Sequence, residues 1–282
     1  MNFSVPKVLA WEVTRRCPMK CRHCRASASD SAYGGELTTA ECRRVLDSLA
    51  SARPMVIWTG GEPMTRDDLP ELVSYASSLG IRSVLAPCGM LVSEGRLGEL
   101  KRAGVMACSF SLDGPDKAVH DAFRGVEGAW DAVLSAMAVA RAVGMPFQVN
   151  TVVRKGSLSS LDEIYDRAMS EGASRLDMFF LVPTGRGKEI DSLVPDAGEI
   201  DSAIAWAKDR KVKLTCCPQA GTCIGGRGFA FLSHTGTLQT CGFVQTPCGS
   251  IRDFGFDFVK LAESAVNPLG VSGNCRSVPE TA

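Results

Sequence analysis

Net charge is what this chain has least of: 31 Lys and Arg balance 31 Asp and Glu, for a formal charge of zero. Bulk electrostatics therefore give no reason to expect a nucleic-acid partner. Long apolar runs are also missing, and none approaches the roughly 20 residues that span a bilayer, so no membrane partner is expected. The opening MNFSVPKVLAWEV enters a strand pattern at once and carries no secretory signal. The cytoplasm is the expected compartment. Nor is there a compositional sign of disorder, since 45% of residues are hydrophobic. A length of 282 residues suffices for one large α/β domain and a smaller appendage.

Cysteine, by contrast, is abundant, at 12 residues. Without an export signal, metal or redox chemistry gains weight over disulfides. Cys17, Cys21 and Cys24 cluster in CPMKCRHC, while Cys216, Cys217, Cys223, Cys241, Cys248 and Cys275 lie toward the C-terminus. Cys42, Cys88 and Cys108 are scattered between them and read as small buried apolar side chains.

From residue 8 to about 181, short apolar runs alternate with longer helical periods. Strands are expected at 8–13, 55–59, 82–87, 105–112, 146–153 and 175–183. Between them, Thr38 and Glu41 form a capping-box signal for a helix through Ala52, and Gly80, Gly104 and Gly144 stop later helices. Strands and helices in this alternation imply a parallel sheet with right-handed crossovers. Six such units fall short of a closed eight-stranded barrel. The expected fold is a partial (β/α)6 TIM-like barrel, with its site at the C-terminal strand ends. After Pro183 the texture changes: TGRGKEIDSLVPDAGE reads as a loop, 197–209 as a helix, and FAFLSHTGTLQTCGF as a hairpin turning at Thr235–Gly236. A boundary near 190–213 divides the chain into 1–190 and 191–282.

The CxxxCxxC cluster follows the first strand, where such a barrel keeps its chemistry. Zinc closes with four ligands, and His23 could supply a fourth, although it sits awkwardly beside Cys24. A disulfide would strand one thiol. A 4Fe–4S cluster has four corners, and three thiolates leave one iron open. Arg15, Arg16, Lys20, Arg22 and Arg25 would offset the charge of an anionic cluster or form a solvated loop face.

CxxxCxxC after strand one resembles the signature of radical S-adenosylmethionine enzymes. The resemblance implies that Cys17, Cys21 and Cys24 hold a 4Fe–4S cluster whose open iron chelates the methionine part of S-adenosylmethionine. Reductive cleavage by a donor such as ferredoxin or flavodoxin then yields a hydrogen-abstracting 5′-deoxyadenosyl radical. TGGEP (59–63) is similar to the family's GGE motif and implies that Gly60, Gly61 and Glu62 contact the methionine amino group. Adjacent glycines permit close backbone approach, and a carboxylate accepts from ammonium. SFSLDGPDKAVHDAFRG (109–125) resembles the SLDG…HD…RG run of the subgroup that modifies peptides and cofactors. It implies that Ser111, Asp113 and Arg124 bind cofactor polar groups. Asp113–Gly114 could equally be a turn, and His120–Asp121 a local cap. Asn150 in strand five is a further cofactor-binding candidate. His23 stands where the family often has an aromatic residue and is read as packing near the cluster.

Cys217, Cys223 and Cys241 resemble the opening of the SPASM/twitch extension, so 191–282 is expected to be a small Cys-rich twitch-like domain. By that match the three hold an auxiliary 4Fe–4S cluster, with Cys275 or Cys248 as fourth ligand and zinc as the rival. The later CxxCxxxxxCxxxC run of a full SPASM domain is absent from this sequence. At most one auxiliary cluster is therefore expected.

LAWEVTRRCPMKCRHCRASA (9–28), FFLVPTGRG (179–187) and FLSHTGTLQTCGF (231–243) are most similar to the alternative haem and haem d1 branch. That branch removes or shortens acid side chains of an iron tetrapyrrole, and Arg186 is a candidate partner for a tetrapyrrole carboxylate. A second expectation is a peptide maturase forming thioether or carbon–carbon crosslinks. The short stretch before Cys17 leaves little room for a peptide-binding extension. A third is a non-catalytic iron–sulfur carrier.

Overall fold

The computed structural model describes residues 5–215 and 224–266. Apolar runs become strands and capped amphipathic segments become helices in strict alternation. β1 (Val8–Thr14) passes through the cysteine loop to α1 (Thr39–Leu49). There follow β2 (Met55–Gly60), α2 (Leu69–Ser78), β3 (Ser83–Leu85), α3 (Glu94–Ala103) and β4 (Val105–Ser111). After α4 (Lys117–Arg124) and α5 (Ala129–Ala142) come β5 (Phe147–Val153), α6 (Leu161–Ser170) and β6 (Leu176–Phe180). α7 (Ala197–Ala207) leads to β7 (Val212–Leu214). The remainder holds β8 (Phe229–Leu232), β9 (Thr237–Gln239), β10 (Gly249–Ser250) and α8 (Phe258–Ser264).

The ten strands among the described residues form one sheet in the order β10-β9-β8-β1-β2-β3-β4-β5-β6-β7. Pairings from β1 to β7 are all parallel, as the alternating pattern requires. The expected six-stranded core is present, and β7 and β8 extend it on its two sides. β7 escaped the sequence reading because it is a largely exposed edge strand, so its residues carry little apolar alternation. β8 pairs parallel to β1 and turns back antiparallel into β9, at the expected hairpin. The segment 224–266 is thus hydrogen-bonded directly onto the barrel strand that launches the cysteine loop.

Local signals explain the helix ends. Thr38 and Glu41 complete the expected capping box, but α1 ends at Leu49. α4 lies inside the stretch read from sequence only as a motif; Asp116 caps it by accepting from Val119 N. Asp121 is a cap as well, of the next helix: its carboxylate accepts from Gly128 N and Trp130 N, each at 2.8 Å. The loop expected after Pro183 contains 3-10 turns over Gly185–Leu193.

Under the helices, Trp11 and Trp58 face each other across β1 and β2, fully buried, with ring centroids 5.6 Å apart. Trp58 Nε1 donates to Ser83 Oγ at 2.9 Å, which satisfies its buried donor. The opposite face of the sheet is polar. Along β5, Gln148, Asn150 and Val152 are half-buried, alternating with fully buried Phe147, Val149, Thr151 and Val153. Gln148 Nε2 reaches Ser109 Oγ, Asn150 Oδ1 and Asp177 Oδ2, so β4, β5 and β6 share a hydrogen-bonded inner wall. No helix among the described residues is long and apolar enough to cross a membrane.

Candidate functional site

The cysteine loop leaves β1 at its C-terminal end and is tied down from three other segments. From β2, Gly61 N donates to Thr14 O at 2.9 Å and Glu62 N to Arg16 O at 2.8 Å. At α4, Arg124 O accepts Arg22 N at 3.0 Å. From the loop after β6, Arg186 donates its backbone N–H to Cys24 O at 3.1 Å and its Nε to Cys21 O at 2.8 Å. Arg186, which the sequence offers as a carboxylate partner, is thus a clamp on the cysteine loop. Two glycines permit the approach. A Cβ on Gly61 would lie 2.3 Å from Arg15 O, and one on Gly185, at φ +60°, would lie 2.3 Å from Arg25 O.

Cys17 is buried with Met19, Ala26, Ala28 and Ala129, and Cys21, Cys24 and Cys88 pack against the same group. Cys88 was set aside in the sequence as a generic apolar side chain. The signal available was its place just beyond β3, at the strand end where a barrel gathers its site. A thiol hydrogen bond shared by Cys17 and Cys88 pulls Cys17 down and pushes Cys88 up, with burial adding to the rise at Cys88. Burial raises the Cys21 thiol, and Arg124 partly offsets this from its Nη1, 3.9 Å from Cys21 Sγ.

Arg124 is the buried cation of the site. Its Nε and Nη2 bond Asp113 Oδ2 at 2.8 and 2.6 Å, while Asp113 Oδ1 accepts Val152 N at 2.8 Å. Burial alone would raise the Asp113 carboxyl; the Arg124 charge and the Val152 N–H bring it down to about 2. Asp113 therefore occupies both oxygens in holding Arg124 and β5. His120 Nδ1 accepts Asp113 N at 3.0 Å, and burial with the nearby Arg124 charge lowers its pKa to about 4. His23 stacks on Phe123 with centroids 4.5 Å apart and planes 3° from parallel. Burial, then Arg124, lowers its pKa to about 3 and keeps it neutral.

Gly60 and Gly61 lie at the end of β2, and Glu62 is fully buried behind them. Glu62 Oε1 accepts Met64 N at 2.9 Å, and Oε2 accepts Cys88 N. Burial raises its pKa, and these amides oppose the rise. Ser111 and Asn150 are register partners on the inner faces of β4 and β5, each half-buried.

Of the C-terminal thiols, Cys217, Cys223 and Cys275 lie outside the described residues, as does Cys216. Cys241 is buried just after β9, and its Sγ accepts Val244 N at 3.3 Å. Cys248 is half-buried, its Sγ donates to Thr246 O at 3.7 Å, and burial raises its pKa.

The donor set suits a polynuclear cluster. Three soft thiols share one short loop, and a buried guanidinium bonds one sulfur, which stabilises the thiolate form. Two buried polar atoms at the loop, His23 Nδ1 and Arg186 Nη2, have no hydrogen-bond partner among the described residues. Orphaned polar atoms of this kind mark a place where a polar group docks.

Residues 11–168 match the model of the Radical SAM superfamily. The chain is 38% identical to the AdoMet-dependent heme synthase of Nitratidesulfovibrio vulgaris, over 89% of this chain and 77% of that one. It is 36% identical to the Fe-coproporphyrin III synthase of Methanosarcina barkeri, over 76% of this chain and 54% of that one. Among solved structures, native anSMEcpe with bound AdoMet superposes with a TM-score of 0.67 at 16% identity, covering 92% of this chain and 82% of that chain. The family implies a 4Fe–4S cluster and S-adenosylmethionine. This chain belongs to the radical S-adenosylmethionine superfamily.

Proposed function

We propose that this protein is a haem synthase that decarboxylates acid side chains of an iron tetrapyrrole by radical chemistry. The observation that carries the reading is 38% identity to a heme synthase along 89% of the chain. Cys17, Cys21 and Cys24 would hold the 4Fe–4S cluster, with His23 packed beside it. Reductive cleavage of S-adenosylmethionine supplies hydrogen-atom abstraction there, driven by a reductant such as ferredoxin or flavodoxin in the cytoplasm. Gly60, Gly61 and Glu62 would line the methionine end, with Glu62 anchored by Met64 N and Cys88 N. Ser111 and Asn150 would face the cofactor from the inner wall. Asp113 acts by positioning Arg124, whose charge sits against Cys21.

Loss of a hydrogen atom and then carbon dioxide from a carboxylate side chain leaves an alkene and one electron. An acceptor for that electron is required. On this reading 1–190 carries the radical chemistry and 191–282 holds an auxiliary 4Fe–4S cluster on Cys217, Cys223, Cys241 and either Cys275 or Cys248. The Val244 N–H aimed at Cys241 Sγ supports the assignment, since amide donors stabilise ligating thiolates.

The test is anaerobic reconstitution, reduction, and incubation with S-adenosylmethionine and iron coproporphyrin III. Expected are 5′-deoxyadenosine and loss of carbon dioxide from the porphyrin by mass. About eight irons per chain would mark two four-iron clusters, and about four would mark one. Cleavage with an unchanged porphyrin would reject the reading in favour of another substrate, such as a peptide. No cleavage at all would leave an iron–sulfur carrier.

A further inference from the structure

A cavity of about 320 Å³ lies where the cysteine loop meets the β8–β9 hairpin, lined by Arg15, Arg25, Ser27, Phe231, Gln239 and Gln245 together with Ala26 and Gly185. Among the described residues, no acidic side chain lines it. We propose that this cavity is a carboxylate subsite, in which Arg15 and Arg25 anchor an acid side chain of the substrate between the cysteine loop and the hairpin that bears Cys241. The proposal rests on the iron tetrapyrrole reading above and adds the residues that hold the substrate's charge.

The charge balance is local. Glu12 is fully buried beneath the cavity and is the counter-ion of both arginines. Its Oε1 takes Arg15 Nε at 2.9 Å and its Oε2 takes Arg25 Nη1 at 3.1 Å. His234 Nδ1 lies 2.8 Å from Oε1. One carboxylate thus faces two guanidinium groups, and each arginine uses a single nitrogen on it. The other guanidinium donors stand outside that pairing. The other carboxylate close by, Glu36, accepts Thr14 Oγ1 and Arg15 N and does not line the cavity. Two guanidinium groups line the cavity while both nearby carboxylates stay out of its lining, and a guanidinium fork is the preferred partner of a planar carboxylate.

The wall is also held in place before any ligand arrives. Arg25 lies over the Phe231 ring at 4.2 Å, and Gln245 Nε2 donates to Arg25 O at 2.9 Å. The missing side chain of Gly242 makes room for the Arg25 guanidinium, because a Cβ there would come within 2.9 Å of its Nε. Ser27, on the cavity rim, adopts φ +49°, a conformation that costs a non-glycine residue and is retained where surrounding structure imposes it. A volume of this size fits one acid side chain and not a whole macrocycle, so the ring itself would lie outside it.

The test compares a free-acid ligand with its ester, so that only the carboxylate differs. Iron coproporphyrin III and its tetramethyl ester are titrated into the reconstituted protein and followed by the Soret band. Arg15→Gln removes one anchor while leaving Arg25 on Glu12. Gln239→Glu adds a negative charge to the cavity without touching the Glu12 network. Each variant should weaken binding of the acid by about tenfold, the worth of one charge-assisted hydrogen bond, and leave ester binding unchanged. Circular dichroism and the iron–sulfur absorbance of each variant should match wild type. Equal weakening of acid and ester, or no weakening of either, would overturn the subsite while leaving the haem synthase reading in place. Failure of the wild-type protein to bind either porphyrin would overturn that reading itself, and the subsite with it.

Discussion

The cysteine loop and the β8–β9 hairpin share one sheet, yet they are held in different ways. The loop is fixed by buried backbone hydrogen bonds from β2, α4 and the post-β6 turn, and by the Asp113–Arg124 pair beneath it. Segment 224–266 is joined to the barrel through β8 on β1, through fully buried apolar side chains such as Leu232, Ile251 and Phe258 in the main core, and through exposed polar contacts, such as Arg252 to Glu41 and Arg44 to Gly255 O. The difference teaches where each site's order comes from. Around Cys17, Cys21 and Cys24 the protein itself builds the geometry. Around Cys241 the sulfur is buried and accepts the Val244 N–H.

Removing thiols breaks the comparison most severely. Replacing Cys17, Cys21 and Cys24 together by Ala should abolish 5′-deoxyadenosine formation, whereas Cys241→Ser should retain part of it, measured by chromatography after anaerobic reduction. Equal loss would erase the division of labour between the two regions. Next in size is the buried ion pair. Asp113→Ala strands a buried guanidinium and should cost about 3–5 kcal/mol in urea unfolding. Glu41→Gln, which retains the cap on α1 and breaks only the exposed pair with Arg252, should cost less than about 1 kcal/mol.

Acid should loosen the same region. His120 has its pKa lowered from 6.5 to about 4 by burial and Arg124, so its neutral form is favoured in the folded chain. A depressed value contributes stability that is complete above pH 6.5 and is lost as pH falls toward 4, by about 3 kcal/mol. His120→Asn, which offers an acceptor for Asp113 N, should flatten that slope in unfolding measured across the same range. The smallest contrast is between two glycines. Gly61→Ala drives a Cβ into backbone at 2.3 Å and should cost about 1–3 kcal/mol. Gly228→Ala meets nothing within 4 Å and should change stability by less than about 0.5 kcal/mol. A similar cost at both positions would show that the loop is not packed as described.

Much of this was legible in the chain because it is written locally. The Thr38–Glu41 capping box, the helix-stopping glycines, the turn at Gly236 and the CxxxCxxC spacing each involve residues within a few positions of one another. What escaped joins distant positions. Cys88 is 71 residues from Cys17 in number and yet packs against the same buried group. Arg186 binds Cys21 O across 165 positions, and nothing in TGRGK shows which carbonyl it will meet. Asp113 resembled a cofactor ligand by motif, and only its bonds to Arg124 and Val152 N reveal how both its oxygens are used.

The sequence by itself determined the parallel α/β order, the thiol loop after the first strand and the family, because periodicity, caps and motif spacing are short-range properties of a chain. Tertiary structure alone decided that the hairpin would dock on β1, that Glu12 would lie beneath two arginines, and that a cavity lined by both arginines would open there. Those outcomes depend on which distant groups share a low-dielectric interior, where a buried charge must find its partners in space.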